Sequence, residues 1–226
     1  MTVLLALALS AVSALLAARL GVEHPLGRRI ELLTLAAGGL IGAALGAASP
    51  SPTLAAATAV TAGLLIGSSV ADRRERMVHI GVLAVGTGIV GVLGALGSGD
   101  LRFPLVGLVF GLLMGGLIFG GGWLFSHFRH GIDPETGEPS EDYGFGDVVI
   151  WALVGTLLVS LPPYGSESVM RFAVAFLGAH ILVGLLSLAV LIARPLHLKL
   201  GNTVYLPLVP AITVVTLGVI LIGVHA

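Results

Sequence analysis

The sequence predicts an all-α, polytopic transmembrane bundle of about eight spans, and three observations predict it. Of 226 residues, 56% are hydrophobic and only 10% are charged, with a mean hydropathy of +1.06, whereas a soluble domain carries about 25% charged residues. A chain so apolar lacks the surface that water demands, so lipid is its expected solvent. Apolar runs near the ~20 residues that cross a bilayer recur along the whole chain. Cations gather in alternate connecting segments, as they do when successive helices cross a membrane in opposite senses.

The first run covers 2–19. It reads as a retained span and not a cleavable signal, because Met1-Thr2-Val3-Leu4 has no basic residue and Arg19 follows the run. The second and third, 31–49 and 53–71, are parted by Pro50 and Pro52. The fourth, 78–98, stops at Gly97-Ser98-Gly99-Asp100, and the fifth occupies 103–126. The sixth, 145–162, is short and ends at Pro162-Pro163; the seventh and eighth cover 168–193 and 203–224. The chain therefore reads as one transmembrane domain, 1–226, made of a helix pair (1–50), a core (53–162) and a second pair (163–226).

Orientation follows from the cations. With the N-terminus outside, Arg19, Arg28, Arg29, Arg73, Arg74, Arg76, Arg129, Arg194 and Lys199 fall on the cytoplasmic side, and only Arg102 and Arg171 fall outside. That positive-inside bias predicts both termini outside and a multi-pass protein of the cytoplasmic (inner) membrane. A net charge of −1 without a dense basic patch gives no footprint for nucleic acid. The absence of cysteine excludes disulfides, thiolate nucleophiles and cysteine-ligated metal.

Glycines spaced by four, Gly38-Gly42-Gly46 and Gly107-Gly111-Gly115, are expected to let helix backbones approach closely. Ser68, Ser69 and Thr87 are expected to bond between helices. His180, in mid-span, reads as a satisfied structural histidine. His127, His130 and the neighbouring carboxylates match no standard ligand spacing, so neither a metal nor a cofactor is expected.

Two carboxylates stand where helix meets interface. Asp72 closes the third span after Gly67-Ser68-Ser69-Val70-Ala71, and Asp147 opens the sixth in Tyr143-Gly144-Phe145-Gly146-Asp147-Val148. Two complete spans lie between them, so both are expected on the cytoplasmic side at similar depth. Carboxylates near a membrane are costly and tend to be functional. Two that converge can share a proton, one activating water and the other protonating a carbonyl. Asp147 near a helix start is also what the helix dipole favours without any chemistry.

Gly144-Phe145-Gly146-Asp147 resembles the Gly-x-Gly-Asp motif of the type IV prepilin peptidases, a family of membrane aspartic peptidases. Asp72-Arg73-Arg74-Glu75-Arg76-Met77-Val78 is similar to that family's first catalytic segment, an aspartate followed by a basic stretch and an aliphatic residue. Leu206-Pro207-Leu208-Val209-Pro210-Ala211-Ile212 resembles the twin-proline lead into its last helix. His24-Pro25-Leu26 with Glu31-Leu32-Leu33 is similar to the segment before its catalytic core. The resemblance implies that Asp72 and Asp147 form a catalytic dyad within a 53–162 catalytic core. It further implies that Gly144, Phe145, Gly146, Pro207 and Pro210 shape a substrate path, and that the partner is a prepilin-like precursor with a short basic leader. The acidic stretch with Asp133, Glu135, Glu138, Glu141 and Asp142 would then attract that leader.

The sequence departs from the family at Val149, where Lys is usual, and at His79-Ile80, where Pro then Asn or Asp is usual. The cysteine-rich insert linked with N-methylation is missing, so the resemblance carries cleavage and not methyl transfer. The presenilin and signal-peptide-peptidase group shares Gly-x-Gly-Asp, but has Tyr where Ala71 stands and Pro-Ala-Leu where Pro210-Ala211-Ile212 stands. Two other classes are open: a silent relative that acts as an assembly scaffold, and a proton-coupled transporter with Asp147 or His180 as relay.

Overall fold

With no water to satisfy backbone polar groups inside a bilayer, an apolar chain must close its hydrogen bonds within each segment, and helices do so. The computed structural model describes residues 1–75, 78–130, 145–197 and 208–225, and among them eight helices and no strand occur. They are α1 (Thr2–Leu20), α2 (Arg28–Ala48), α3 (Pro52–Glu75), α4 (Ile80–Ser98), α5 (Arg102–His130), α6 (Phe145–Ser160), α7 (Ser166–His197) and α8 (Leu208–His225). Six of them, α1 to α5 and α7, are long and apolar enough to cross a membrane; α6 and α8 are shorter apolar helices.

The ends follow local chemistry. Ser51 Oγ accepts from Leu54 N–H and Pro52 opens α3, where its missing N–H costs nothing. Gly99 takes the left-handed conformation (φ 74°) that closes α4, its N–H donating to Ala95 C=O. Three helices exceed the sequence expectation by four residues: α3 reaches Glu75, α5 His130 and α7 His197. Conversely, α6 stops at Ser160, two residues short, ahead of the cis Pro162-Pro163 bond. There Arg171 of α7 donates to the carbonyls of Leu161, Pro162 and Pro163, at 2.5, 2.7 and 2.6 Å, groups that the spent helix leaves without partners.

Glycine sets the packing order. An added Cβ would strike Ala14 from Gly38, Ser10 from Gly42 and Ala6 from Gly46, so α1 and α2 run antiparallel in close contact. Gly107, Gly111 and Gly115 lie against Gly155, Trp151 and Val148, locking α5 antiparallel to α6. Both stripes thus seat a helix, as their spacing led one to expect. A third stripe, Gly63 and Gly67 on α3, seats α1 in parallel through Ser10, Ala14 and Ala17.

These contacts wrap the bundle around two helices. In α3, 89% of the spanning window is buried, and in α6 every residue from Gly146 to Ser160 except Asp147 is buried. The other long helices bury between 22% and 33% and turn large side chains such as Leu16, Leu40, Val92, Leu117 and Leu185 outward. An apolar exterior around a core of ordinary protein packing is the surface of a multi-pass membrane protein. Buried hydroxyls of Thr34, Thr58, Thr61, Thr87, Thr156 and Ser160 each donate to the carbonyl one turn back. Thr87 therefore bonds within its own helix, not between helices, whereas Ser69 reaches Thr213 of α8 at 2.8 Å.

Candidate active site

The helices that carry Asp72 and Asp147 are the two innermost ones. Asp72 lies in the last turns of α3 and is 3% exposed; Asp147 lies in the first turn of α6 and is half-buried. Leu64 and Leu54 of α3 meet Gly86 and Gly97, so α3 and α4 are antiparallel, while Gly91 and Gly94 meet Thr156 and Ser160, so α4 and α6 are parallel. Carried through these pairings, Asp147 lies level with Ser68 and Ser69, about one helical turn (~5 Å) from the level of Asp72. Both carboxylates stand at one end of the bundle, as the two-span hairpin between them requires.

That end also carries Arg19, Arg28, Arg29, Arg73 and Arg74, against Arg102 and Arg171 at the other. Arg19 Nε pairs with Glu31 Oε1 at 2.7 Å on the exposed surface, tying α1 to the start of α2. Exposed pairs of this kind are screened and add little.

Each carboxylate has a distinct setting. Asp72 Oδ2 accepts from the Val209 backbone N–H at 3.4 Å, in the first turn of α8. The bond is long, yet it puts a carboxylate on the N-terminal end of a helix, where unpaired N–H groups and the helix dipole both favour negative charge. Thr213, one turn further along α8, bonds Ser69 and the Leu65 carbonyl (3.2 Å), so α8 is pinned along α3 from Leu65 to Asp72. Val209 escapes a motif search because its backbone, not its side chain, makes the contact. The prolines that flank it, which mark a helix start, are the available signal.

Gly146, directly before Asp147, packs on Val78. A Cβ there would come 2.9 Å from Val78 Cγ2, so the glycine allows close approach between α6 and the residues that lead into α4. Phe145 is exposed and meets Phe119 edge-on at 6.2 Å. Pro210 sits half-buried in the first turn of α8. Gly144, Pro207, Asp133, Glu135, Glu138, Glu141 and Asp142 lie outside the described residues.

The two departures from the family pattern have local explanations. His79 caps α4, its Nδ1 accepting from Val82 N–H at 3.2 Å, a task that Pro cannot perform. Val149 is 9% exposed among apolar neighbours on α4 and α5, where a Lys would lose its hydration. His180 bonds the Phe176 carbonyl through Nδ1 at 2.7 Å and stacks on Trp151 at 5.7 Å, in an aromatic cluster with Phe172 and Phe176. This is a packing role. Among the described residues no three His, Asp or Glu side chains gather closely enough to hold a metal ion.

No family model, curated protein or solved structure matches the chain. The site's own geometry is two carboxylates, one enclosed and one half-open, about one helical turn apart in level at the cationic end of an apolar bundle.

Proposed function

We propose that the protein is a membrane aspartic endopeptidase of the prepilin-peptidase type, with Asp72 and Asp147 as its catalytic pair. The observation that carries this reading is that the two innermost helices, apolar through their membrane-spanning parts, each carry an aspartate near the same end of the bundle. Burying a carboxylate is expensive, and carboxylates placed near a membrane tend to be functional. Orientation of the cationic end toward the cytoplasm agrees with the positive-inside rule and puts the pair at the inner face of the cytoplasmic membrane.

The chemistry is that of a carboxylate pair sharing one proton. The ionised partner takes a proton from water as the water oxygen bonds the scissile carbonyl carbon, and the protonated partner gives its proton to the carbonyl oxygen. Collapse of the tetrahedral diol breaks the C–N bond: the aspartate that took the water proton gives it to the leaving amine, and the other takes a proton from a diol hydroxyl, which leaves a carboxylic acid and restores the shared proton. The substrate is a single-span precursor with a short basic leader, drawn toward Asp147 by the acidic segment that holds Asp133, Glu135, Glu138, Glu141 and Asp142.

A second reading, a silent scaffold for assembly, is favoured by one observation: Asp72 already has structural work at the start of α8. The purified full-length protein in liposomes, given a peptide with a basic leader and an apolar helix, separates the two. Cleavage between leader and helix is expected, resolved by mass spectrometry, with loss on Asp72→Asn or Asp147→Asn while both variants keep their helical spectrum. An inert parent protein, or undiminished cleavage by either variant, sinks the peptidase.

A further inference from the structure

The buried hydroxyls of Thr58, Thr61, Thr87, Thr156 and Ser160 turn back on their own helices. Ser69 and Thr213 also reach across. Their oxygens lie 2.8 Å apart between α3 and α8, a separation that calls for a proton between them, given by either hydroxyl. The second proton goes to a carbonyl. Leu65 C=O is 2.8 Å from Ser69 Oγ and 3.2 Å from Thr213 Oγ1, and Val209 C=O is 2.8 Å from Thr213 Oγ1. Val209 is thus touched on both sides, through its carbonyl by Thr213 and through its N–H by Asp72.

The spacing ties these contacts to the candidate site. Leu65, Ser69 and Asp72 follow at i, i+4 and i+7 on one stripe of α3, and Val209 and Thr213 are one turn apart on α8. The helices run antiparallel along that stripe, with Thr213 against Leu65 and Ser69, and Val209 against Asp72. At 3.4 Å the bond from Val209 N–H is too long to fix a carboxylate by itself. Ala211, Ile212 and Ile220 bury apolar surface, and attraction of that kind has no direction, so it leaves the height and rotation of α8 loosely set. The hydroxyl pair, one turn from Asp72, supplies the direction. Groups that do chemistry need placement to within ~0.5 Å, and their supports decide whether they have it.

We infer that Ser69 and Thr213 are positioning residues: their bond sets α8 on α3 and, through the Val209 N–H, orients the Asp72 carboxylate. The consequence for turnover rests on the peptidase reading, whereas the coupling to Asp72 is tested without it. Amide hydrogen exchange at Val209, read by NMR on the full-length protein in micelles, reports the bond to Asp72. Thr213→Val keeps the shape and removes the hydroxyl. It is expected to speed exchange at Val209 about threefold, the factor for an average hydrogen bond between membrane helices. Gly218, further along α8, should exchange as in the parent, and Thr213→Ser should restore the parent rate at Val209. In an Asp72→Ala background the acceptor is already gone, so Thr213→Val should add nothing, whereas a hydroxyl that only held the fold would add the same factor. Unchanged exchange at Val209 in Thr213→Val, or equal effects in the two backgrounds, overturns the inference. In liposomes, Thr213→Val should cleave a leader peptide with kcat down about tenfold and KM unchanged, a loss smaller than the ~100-fold that a 1 Å displacement costs. Thr213→Ser should recover it. Undiminished kcat in Thr213→Val, where the parent cleaves, also overturns the inference. An inert parent protein with the expected exchange pattern fells the peptidase alone.

Discussion

The contrast between Gly107 and Gly88 offers a quantitative test of how this bundle is held together. Both are helix-interior glycines, and replacing either with Ala gains up to ~1 kcal/mol of helix propensity. That gain is common to both and cancels in the comparison. At Gly107 the new methyl meets the Gly155 carbonyl, which is backbone and cannot rotate away, and a Cβ on Gly155 would meet the Gly107 carbonyl in the same way. The α5–α6 interface must open, at an overpacking cost of about 1–3 kcal/mol. At Gly88 the methyl meets nothing. Gly107→Ala is therefore expected to be less stable than Gly88→Ala by about 1–3 kcal/mol, with Gly88→Ala at or slightly above the parent. Denaturant titration of the purified protein in mixed micelles reads the difference directly. Because α6 carries Asp147, the same change also shifts the candidate site, and a displacement near 1 Å is enough for losses of about 100-fold in turnover. If both substitutions move stability equally and in the same direction, backbone contact at Gly155 does not govern the packing and the helix arrangement derived from it fails.

The remaining expectations concern polar contacts. Arg171→Met strips three carbonyls at the end of α6 of their donor and should cost about 2–3 kcal/mol, partly recovered by Lys, in the same titration. Asp72→Ala removes the acceptor at the start of α8 and should cost about 1–2 kcal/mol, whereas Asp72→Asn keeps an acceptor and should cost clearly less. Ser69→Ala, which loses the bond to Thr213, should lower stability by about 0.6 kcal/mol, an average value for hydrogen bonds between membrane helices.

Much of the architecture is written in the sequence because lipid imposes coarse, long-range signals. Proline, glycine or charge marks where the apolar runs stop, and each of the eight helices overlaps its expected run. The pairing of α1 with α2 and α5 with α6 is legible in four-spaced glycines. What is not legible is which helices lie inside. In water, polar faces mark the outside of a helix, but in lipid both faces are apolar, and the periodicity that sorts them disappears. Two weaker signals exist in retrospect: α3 is rich in small residues, from Ala55 to Gly63, and α6 is short at 16 residues. The Asp72–Val209 contact joins residues 137 apart in sequence and involves a backbone group, so no pattern of side chains announces it.

That contact bears on how one aspartate can serve both structure and chemistry. A carboxylate enclosed among apolar helices loses hydration worth several kcal/mol, and the long bond from Val209 N–H offsets only part of that loss. The start of α8 helps further, because its unpaired N–H groups and dipole favour negative charge at the Asp72 end. Asp147, in the first turn of α6, sits where its own helix does the same. Two helix starts thus converge on one end of the bundle, each with a carboxylate beside it, and both favour negative charge there. Held carboxylates keep their geometry when a neighbour changes protonation, which a shared-proton mechanism requires. A purely structural cap requires it at one position only. The second aspartate, Asp147, is half-open and takes no part in the Val209 contact, and Asp147→Asn is for that reason the more telling of the two substitutions.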